Sequence, residues 1–172
     1  MKKLVGPVLT DEVVNHSART FNNKTLRVVS TPSGEKAVLN PMSEIDTRHY
    51  LGNNNTPYSI DHVSLATTED EGGAPGAEGA LELHRAALQS AVSAYISSKF
   101  TCELAAGTVA TKDNNLHVFI CTEKPNLRNF WSGKWTSSWV VSVDGGSASV
   151  SGEIKVRAMP LVVWVERMCS YC

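Results

Sequence analysis

The chain has 172 residues, enough for one ordinary domain with a hydrophobic core, and 42% of them are apolar. Sixteen lysines and arginines nearly balance seventeen aspartates and glutamates. The net charge therefore predicts no long-range attraction to nucleic acid or to an anionic membrane. No segment approaches the roughly 20 apolar residues that span a bilayer, so we expect no membrane span.

The amino terminus and the cysteines favour a cytoplasmic protein. The apolar run after Lys2-Lys3 is short and is broken by Gly6-Pro7, unlike a secretory signal. Four cysteines are few for a secreted disulfide scaffold, so we expect reduced thiols. Cys169 and Cys172 have the spacing of a metal or redox pair, but they lack the helix start that lowers a thiol pKa. We therefore expect neither a metal nor a cofactor.

The first 80 residues predict a short helix and several strands. Residues 10–24 read as a helix with an acidic first turn, capped by Thr10 and stopped at Asn22-Asn23. A hairpin is expected around Pro32-Ser33-Gly34, and a further strand from Tyr58 to Leu65. A flexible loop should follow from 67 to 79, with a solvated acidic tip at Glu69, Asp70 and Glu71.

The strongest helical pattern runs from Leu81 to Phe100, with no Gly or Pro inside. Its apolar residues recur at spacings of three, four and seven, which places them near one face. We expect a long amphipathic helix packed on a sheet, with this face formed by Leu81, Leu88, Val92, Tyr95 and Ile96.

The second half changes to a period of two. Residues 102–110 and 116–122 predict a hairpin, and a clearer alternation follows from 131 to 143. Such alternation is typical of an antiparallel strand with one buried face. The alternation resumes after the turn at residues 144–146, so the strand that follows this turn should pair with the strand at residues 131–143. The residues expected to point inward are Trp131, Gly133, Trp135, Ser137, Trp139, Val141, Val143, Ala148, Val150, Ile154 and Val156.

These elements predict an α+β fold: a mostly antiparallel sheet built from hairpins, one long amphipathic helix packed on it, and a short N-terminal helix. One segment carries a specific resemblance. Residues 129–139 resemble the Asn-Phe-Trp-x-Gly-x-Trp-x-Ser-x-Trp segment of actin capping protein α subunits. The signature residues are Asn129, Phe130, Trp131, Gly133, Trp135, Ser137 and Trp139.

The resemblance covers about residues 8 to 158, and Tyr50-Leu51, Ile60-Asp61-His62-Val63 and Ala94-Tyr95 are also similar to family segments. It implies an incomplete capping-protein alpha fold. Residues 1–24 would be the remnant of the N-terminal helical stalk, and 25–80 a small β globule with a flexible loop. Residues 81–158 would be the helix and central sheet, and 159–172 a tail foreign to the family.

The resemblance implies a structural protein rather than an enzyme. Family members are subunits of a heterodimer with a β subunit, which binds the barbed ends of actin filaments independently of calcium and blocks subunit exchange. We therefore expect a cytoplasmic protein of the actin cytoskeleton. The family's last strands, long helix and C-terminal tentacle find no counterpart in the sequence, so capping should be impaired.

The sequence also allows two other interpretations. The tryptophans could form stacking platforms of a carbohydrate or small-molecule binding module, or an enzyme could be built around His62, His84 and His117. Aromatic rows at period two are more often core, and no catalytic motif surrounds the histidines. A possible basic surface, interpreted as a solvated hairpin face rather than an actin or phosphoinositide site, comprises Lys124, Arg128, Lys134, Lys155 and Arg157.

Overall fold

The computed structural model describes residues 10–70, 81–102, 104–126, 131–144 and 147–160. The fold is α+β, as predicted, and neither helix in these ranges is long and apolar enough to cross a membrane. In chain order the elements are α1 (Asp11–Thr25), β1 (Val28–Ser30), β2 (Lys36–Val38), β3 (His49–Leu51), β4 (Pro57–Ile60), β5 (Thr67–Glu69), α2 (Glu82–Lys99), β6 (Leu104–Lys112), β7 (Asn115–Asn126), β8 (Trp131–Asp144) and β9 (Ser147–Pro160).

The strands form three antiparallel sheets. Two small ones, β1-β2 and β3-β4-β5, make up a β globule, and β6 to β9 form a four-stranded meander in which each strand pairs with the next along the chain. Strands β8 and β9 are paired over their whole length, from Trp131 opposite Pro160 to Asp144 opposite Ser147. This long meander is the scaffold on which the other elements pack.

The end of α1 differs from the prediction. The helix continues through Asn22 and Asn23 to Thr25, so the predicted stop is wrong. An asparagine disfavours a helix because its side chain competes for nearby backbone groups. Here both side-chain amides instead bond to distant partners, His62 and Glu44, and that competition is removed.

Strand β5, the third strand of the β3-β4-β5 sheet, occupies the start of the predicted flexible loop. Thr67–Glu69 pairs with β4, and the hydroxyl groups of Ser59 and Thr68 lie 2.6 Å apart across the pair. Asp70 is half-buried, 3.6 Å from the ring of His49, rather than on a solvated tip. The loop prediction is therefore wrong for this stretch, while its remainder, residues 71–79, lies outside the described residues.

The two faces of the meander pack against different parts of the chain: one against α2 and the other against the globule. On the helix side, Val92 and Ile96 of α2 pack against a core that includes Val109, Val118 and Ile120. On the globule side, Ala106, Phe119 and Cys121 pack against Val38, with Leu26, Val28 and Met42 around them. A separate core fills the globule itself, formed by Val29, Leu39, Tyr50, Tyr58 and Ile60.

Helix α2 approaches β6 closely because position 107 has no side chain. A Cβ added to Gly107 would lie 2.4 Å from Cγ1 of Val92 and 2.6 Å from Cδ1 of Ile96, distances at which real atoms clash. The close approach buries Gln89 against the strand. The glycine therefore sets the position of the helix over the sheet.

We predict that Gly107→Ala destabilises the fold by roughly 1–3 kcal/mol, because the added methyl group overpacks the contact with Val92 and Ile96. Chemical denaturation measures the loss. The matched control is Gly133→Ala in β8, where an added Cβ meets no atom within 4 Å. The control should change the free energy of unfolding by less than about 0.5 kcal/mol, and equal effects of the two variants would contradict the packing argument.

Candidate functional site

The tryptophan row lies on the helix side of the sheet. Trp135 and Trp139 are half-buried and pack against the helix-side core, and the ring of Trp135 lies 5.4 Å from that of Phe100. Ser137, between them, is buried, and Gly133 is exposed. Trp131 begins β8, while Asn129 and Phe130 lie outside the described residues. The role of these seven residues as a family signature stays a prediction.

The apolar side chains of β9 are exposed, contrary to the prediction that they point into a core. Val150, Ile154 and Val156 lie opposite Val141, Ser137 and Trp135, on the same face as the tryptophans. They remain 63%, 53% and 73% exposed. The alternation predicted their face correctly, but α2 lies over β6, at the opposite end of the sheet from β9. We call Trp135, Trp139, Val150, Ile154 and Val156 the outer sheet face.

The two edges of the meander differ. At β6, the Gln89 side-chain amide donates a hydrogen bond to Gly107 O at 3.0 Å, and its oxygen accepts one from Val109 N–H at 2.8 Å. This amide occupies the place of a neighbouring strand's peptide group. Nearby, Val38 N–H donates to the Thr108 hydroxyl at 2.8 Å. None of the described strands pairs with the outer edge of β6 or of β9, and the Gln89 amide occupies two backbone groups at the middle of the β6 edge.

Helix α1 is attached to the globule through polar groups. The Asn22 side chain donates to the carbonyl of His62 at 2.9 Å, and Arg19 forms an ion pair with Glu44. The Tyr50 hydroxyl, whose pKa is raised by burial, donates to Asn23 at 3.0 Å. The apolar residues of α1 do not take part: Val13, Val14 and Phe21 are exposed, and Phe21 is 57% accessible.

The hydrogen bonds of His62 define its tautomer. Its Nε2 lies 3.2 Å from the Thr47 carbonyl oxygen, which can only accept, so Nε2 carries the proton. Its Nδ1 lies 3.5 Å from the Asn22 amide nitrogen and faces a donor. Burial lowers the pKa of His62, and a proton on Nδ1 would oppose the Asn22 N–H. The contact between the His62 ring and Asn22 therefore favours the neutral ring.

The histidines named for the enzyme interpretation occupy separate places. His62 follows β4, His84 is exposed on α2, and His117 in β7 stacks on Phe119. Within the described ranges, no group of three or more histidines, cysteines, aspartates or glutamates is placed to hold a metal ion. Burial raises the pKa of the Cys121 thiol to about 11, so the thiol is protonated at neutral pH. Cys169 and Cys172 lie outside the described residues.

Three members of the possible basic surface share one face. Lys134 lies opposite Arg157, and Lys155 is two residues before Arg157 on the same strand, so all three project to the globule side. Lys124 has the opposite parity, since it is one residue from Glu123, the partner of Lys134. Arg128 lies outside the described residues.

A family model described as "F-actin capping protein alpha subunit" matches residues 2–159, most of the chain. The chain belongs to this family. Its predicted division into a stalk remnant, globule, central sheet and foreign tail stays a prediction.

Individual relatives agree with this assignment. The chain is 27% identical over 157 residues to an F-actin-capping protein subunit alpha of Dictyostelium discoideum, an alignment covering 86% of the chain and 55% of that protein. A Kluyveromyces lactis subunit alpha is 24% identical over 139 residues, covering 80% and 51%. The chain thus spans about half the length of the curated relatives it matches.

A solved structure shares the fold. It is that of a homodimeric actin capping protein alpha subunit from Plasmodium berghei, similar with a TM-score of 0.55 and 16% sequence identity over 93% of this chain and 73% of that one. At this identity the likeness concerns the fold.

Sequence reasoning missed the polar groups that hold the elements together. Gln89 and Asn22 are buried hydrogen-bonding residues, and Glu123 contacts two cations, yet a lone polar residue on a helix or strand reads as solvent-facing. The available signal was the run Ala105-Ala106-Gly107, whose small residues permit a close helix and so the burial of a helix side chain.

We predict that the stability of the chain falls as the pH drops below about 6.5, the ordinary pKa of histidine. The folded state holds the pKa of His62 below that value, so the unfolded state binds more protons on acidification. The contribution of neutral His62 to the free energy of unfolding is complete above about pH 6.5. It is lost as the pH falls toward the pKa of His62 in the folded state.

Chemical denaturation between roughly pH 5 and 8 measures this dependence. His62→Gln should flatten it, since glutamine can donate to Thr47 and accept from Asn22 without titrating in this range. The control, His84→Gln, alters an exposed position on α2 and should keep the wild-type slope. If His62→Gln leaves the slope of the free energy of unfolding against pH unchanged, His62 is not the source of the pH dependence.

Proposed function

We propose that this chain is a subunit of the heterodimeric F-actin capping protein, joined to a capping protein β subunit in the cytoplasm, at the actin cytoskeleton. In this proposal the complex binds filament barbed ends independently of calcium and blocks subunit exchange there. The chain contributes no catalytic group. Membership of the capping protein alpha family supports the proposal, and the unpartnered surfaces supply its physical motive.

The observation that carries the proposal is the outer sheet face together with the open edge of β9. Three large aliphatic side chains more than half exposed beside two tryptophans form a contiguous apolar surface, which favours association. An open strand edge presents backbone groups that another chain can pair with. Because the Gln89 amide already bonds to Gly107 and Val109 at the middle of β6, pairing by a second polypeptide is favoured at the β9 edge.

Helix α1 offers a second contact for the same partner. Its only buried side chain is that of Asn22, while Val13, Val14 and Phe21 lie exposed. A helix of 15 residues gains most of its stability from packing, so an exposed apolar stripe favours pairing with another helix. The resemblance to the family's helical stalk agrees with such a role.

The ligand-binding alternative receives no support from the tryptophans. A stacking platform presents the face of a ring to solvent, whereas Trp139 lies against Gly152: a Cβ there would come within 2.5 Å of its ring. Trp135 packs beside Phe100. Both indoles serve the core of this chain.

We predict that co-expression with a capping protein β subunit raises the soluble yield and gives a complex of one copy each by size-exclusion chromatography. Val150→Lys with Val156→Lys should weaken complex formation by about tenfold or more, since charges then occupy the outer sheet face. The measurement is the fraction of the chain retained by a tagged β subunit.

Matched controls are Leu83→Lys on α2 and Val63→Lys after β4, two exposed apolar residues away from the outer sheet face. These variants should bind the β subunit like the unaltered chain. If they lose binding as much as the β9 variant does, or if the unaltered chain is a soluble monomer indifferent to the β subunit, the proposed assembly is wrong.

We predict that the 172-residue polypeptide, paired with a β subunit, caps filaments weakly or not at all. The resemblance assigns the main barbed-end contacts to family segments that find no match in this sequence. A seeded actin elongation assay, read by pyrene fluorescence, measures capping against a full-length alpha subunit of the family as positive control. Full inhibition at substoichiometric protein would contradict the prediction.

A further inference from the structure

Cations are crowded together on the globule side of β8 and β9. Lys134 of β8 lies directly opposite Arg157 of β9, and Thr136 lies opposite Lys155. Like charges directly opposite each other on one face of an antiparallel pair repel. The sheet therefore keeps an unfavourable pair, which an anionic group between the two side chains would relieve.

The carboxylate nearest to this pair is already shared. Glu123 of β7 lies opposite Lys134, and its Oε2 is 3.6 Å from Nζ of Lys134 and 3.6 Å from Nη1 of Arg27. One negative charge between two cations leaves positive charge in excess. Nε of Arg27 is buried and has no hydrogen-bond partner among the described residues, so a donor is also unmet.

A small cavity lies on the same side of the sheet, next to Lys155. It has a volume of about 150 Å³ and lies between the end of α1 and strands β8 and β9. Asn23 and Lys24 line it from the helix. The sheet contributes Thr136, Ser138, Lys155 and the partner of Lys155, Glu153. Ammonium, amide and hydroxyl groups are all donors to carboxylate oxygens. Two lysines, Lys24 and Lys155, outnumber the one lining carboxylate, Glu153, so the lining carries a net positive charge and suits an acidic side chain.

The local charge contrasts with that of the whole chain. Lys24, Arg27, Lys134, Lys155 and Arg157, which we call the basic cleft, oppose two described carboxylates, Glu123 and the Lys155 partner Glu153. Five cations against two anions stand out in a chain of net charge −1. We propose that the basic cleft docks an extended, Asp- or Glu-rich segment of a partner protein.

The recessed position of Lys134 favours a polypeptide over a membrane. The Lys134 side chain is only 18% exposed, so a planar bilayer would not reach it, whereas a single extended chain can enter the cleft. Single-stranded nucleic acid would require exposed aromatic rings for base stacking. The aromatic residue lining the cavity, Phe119, is buried in the globule-side core.

The test uses the full chain and a fluorescein-labelled octaglutamate peptide, with binding followed by fluorescence anisotropy. Binding should be saturable at about 20 mM salt and weaken as the salt rises to roughly 150 mM. Lys134→Gln with Arg157→Gln should weaken it about tenfold. This double variant removes the repelling pair, so it should fold at least as well as the unaltered chain.

The control, Lys99→Gln with Lys112→Gln, removes the same charge from the end of α2 and from the β6 turn. It should bind the peptide within about twofold of the unaltered chain. Absence of saturable binding at low salt, or an equal loss in the control, would overturn the proposal. Tighter binding to phosphatidylserine vesicles or to oligothymidylate than to octaglutamate would also overturn it. No β subunit is needed, so the result is independent of the proposed assembly.

Discussion

The contact between α2 and β6 determines how the rest of the molecule is arranged. Gly107 lets Val92 and Ile96 reach the strand, and the approach brings the Gln89 amide into line with the strand's outward backbone groups. A buried side chain with both amide bonds made fixes one register of helix on sheet. Because the helix lies at the β6 end of the sheet, the β9 end receives no cover from it.

That asymmetry explains why the same alternation in β8 and β9 has different outcomes. Trp135 and Trp139 are drawn against the helix-side core, whereas Val150 and Val156, on the same face, remain open. The pairing of β8 with β9 supplies backbone hydrogen bonds over 14 residues and holds the strand in place without side-chain burial. The aliphatic surface of β9 is thus exposed in the folded chain, and the proposed assembly depends on it.

How far the sequence predicts such a structure depends on the range of the interactions. Alternation within β8 predicted its face because the period of a strand is local, and the apolar spacing of residues 81–100 predicted α2 for the same reason. The burial of β9 could not be read locally, since it depends on where another element lies. The continuation of α1 past Asn22 depends on His62, 40 residues away. Gln89 likewise gains its role only from Gly107.

The reactivity of Cys121 reports on the contact between the globule and the meander. Its side chain is fully enclosed beneath Val38, and its thiol is held in the unreactive protonated form. The nucleophile that attacks a maleimide is the thiolate, so labelling at this position requires the globule and the meander to separate and expose the sulfur to water. The rate of alkylation at Cys121 would therefore report how often the globule and the sheet separate. A ligand bound between the globule and the sheet would lower that rate.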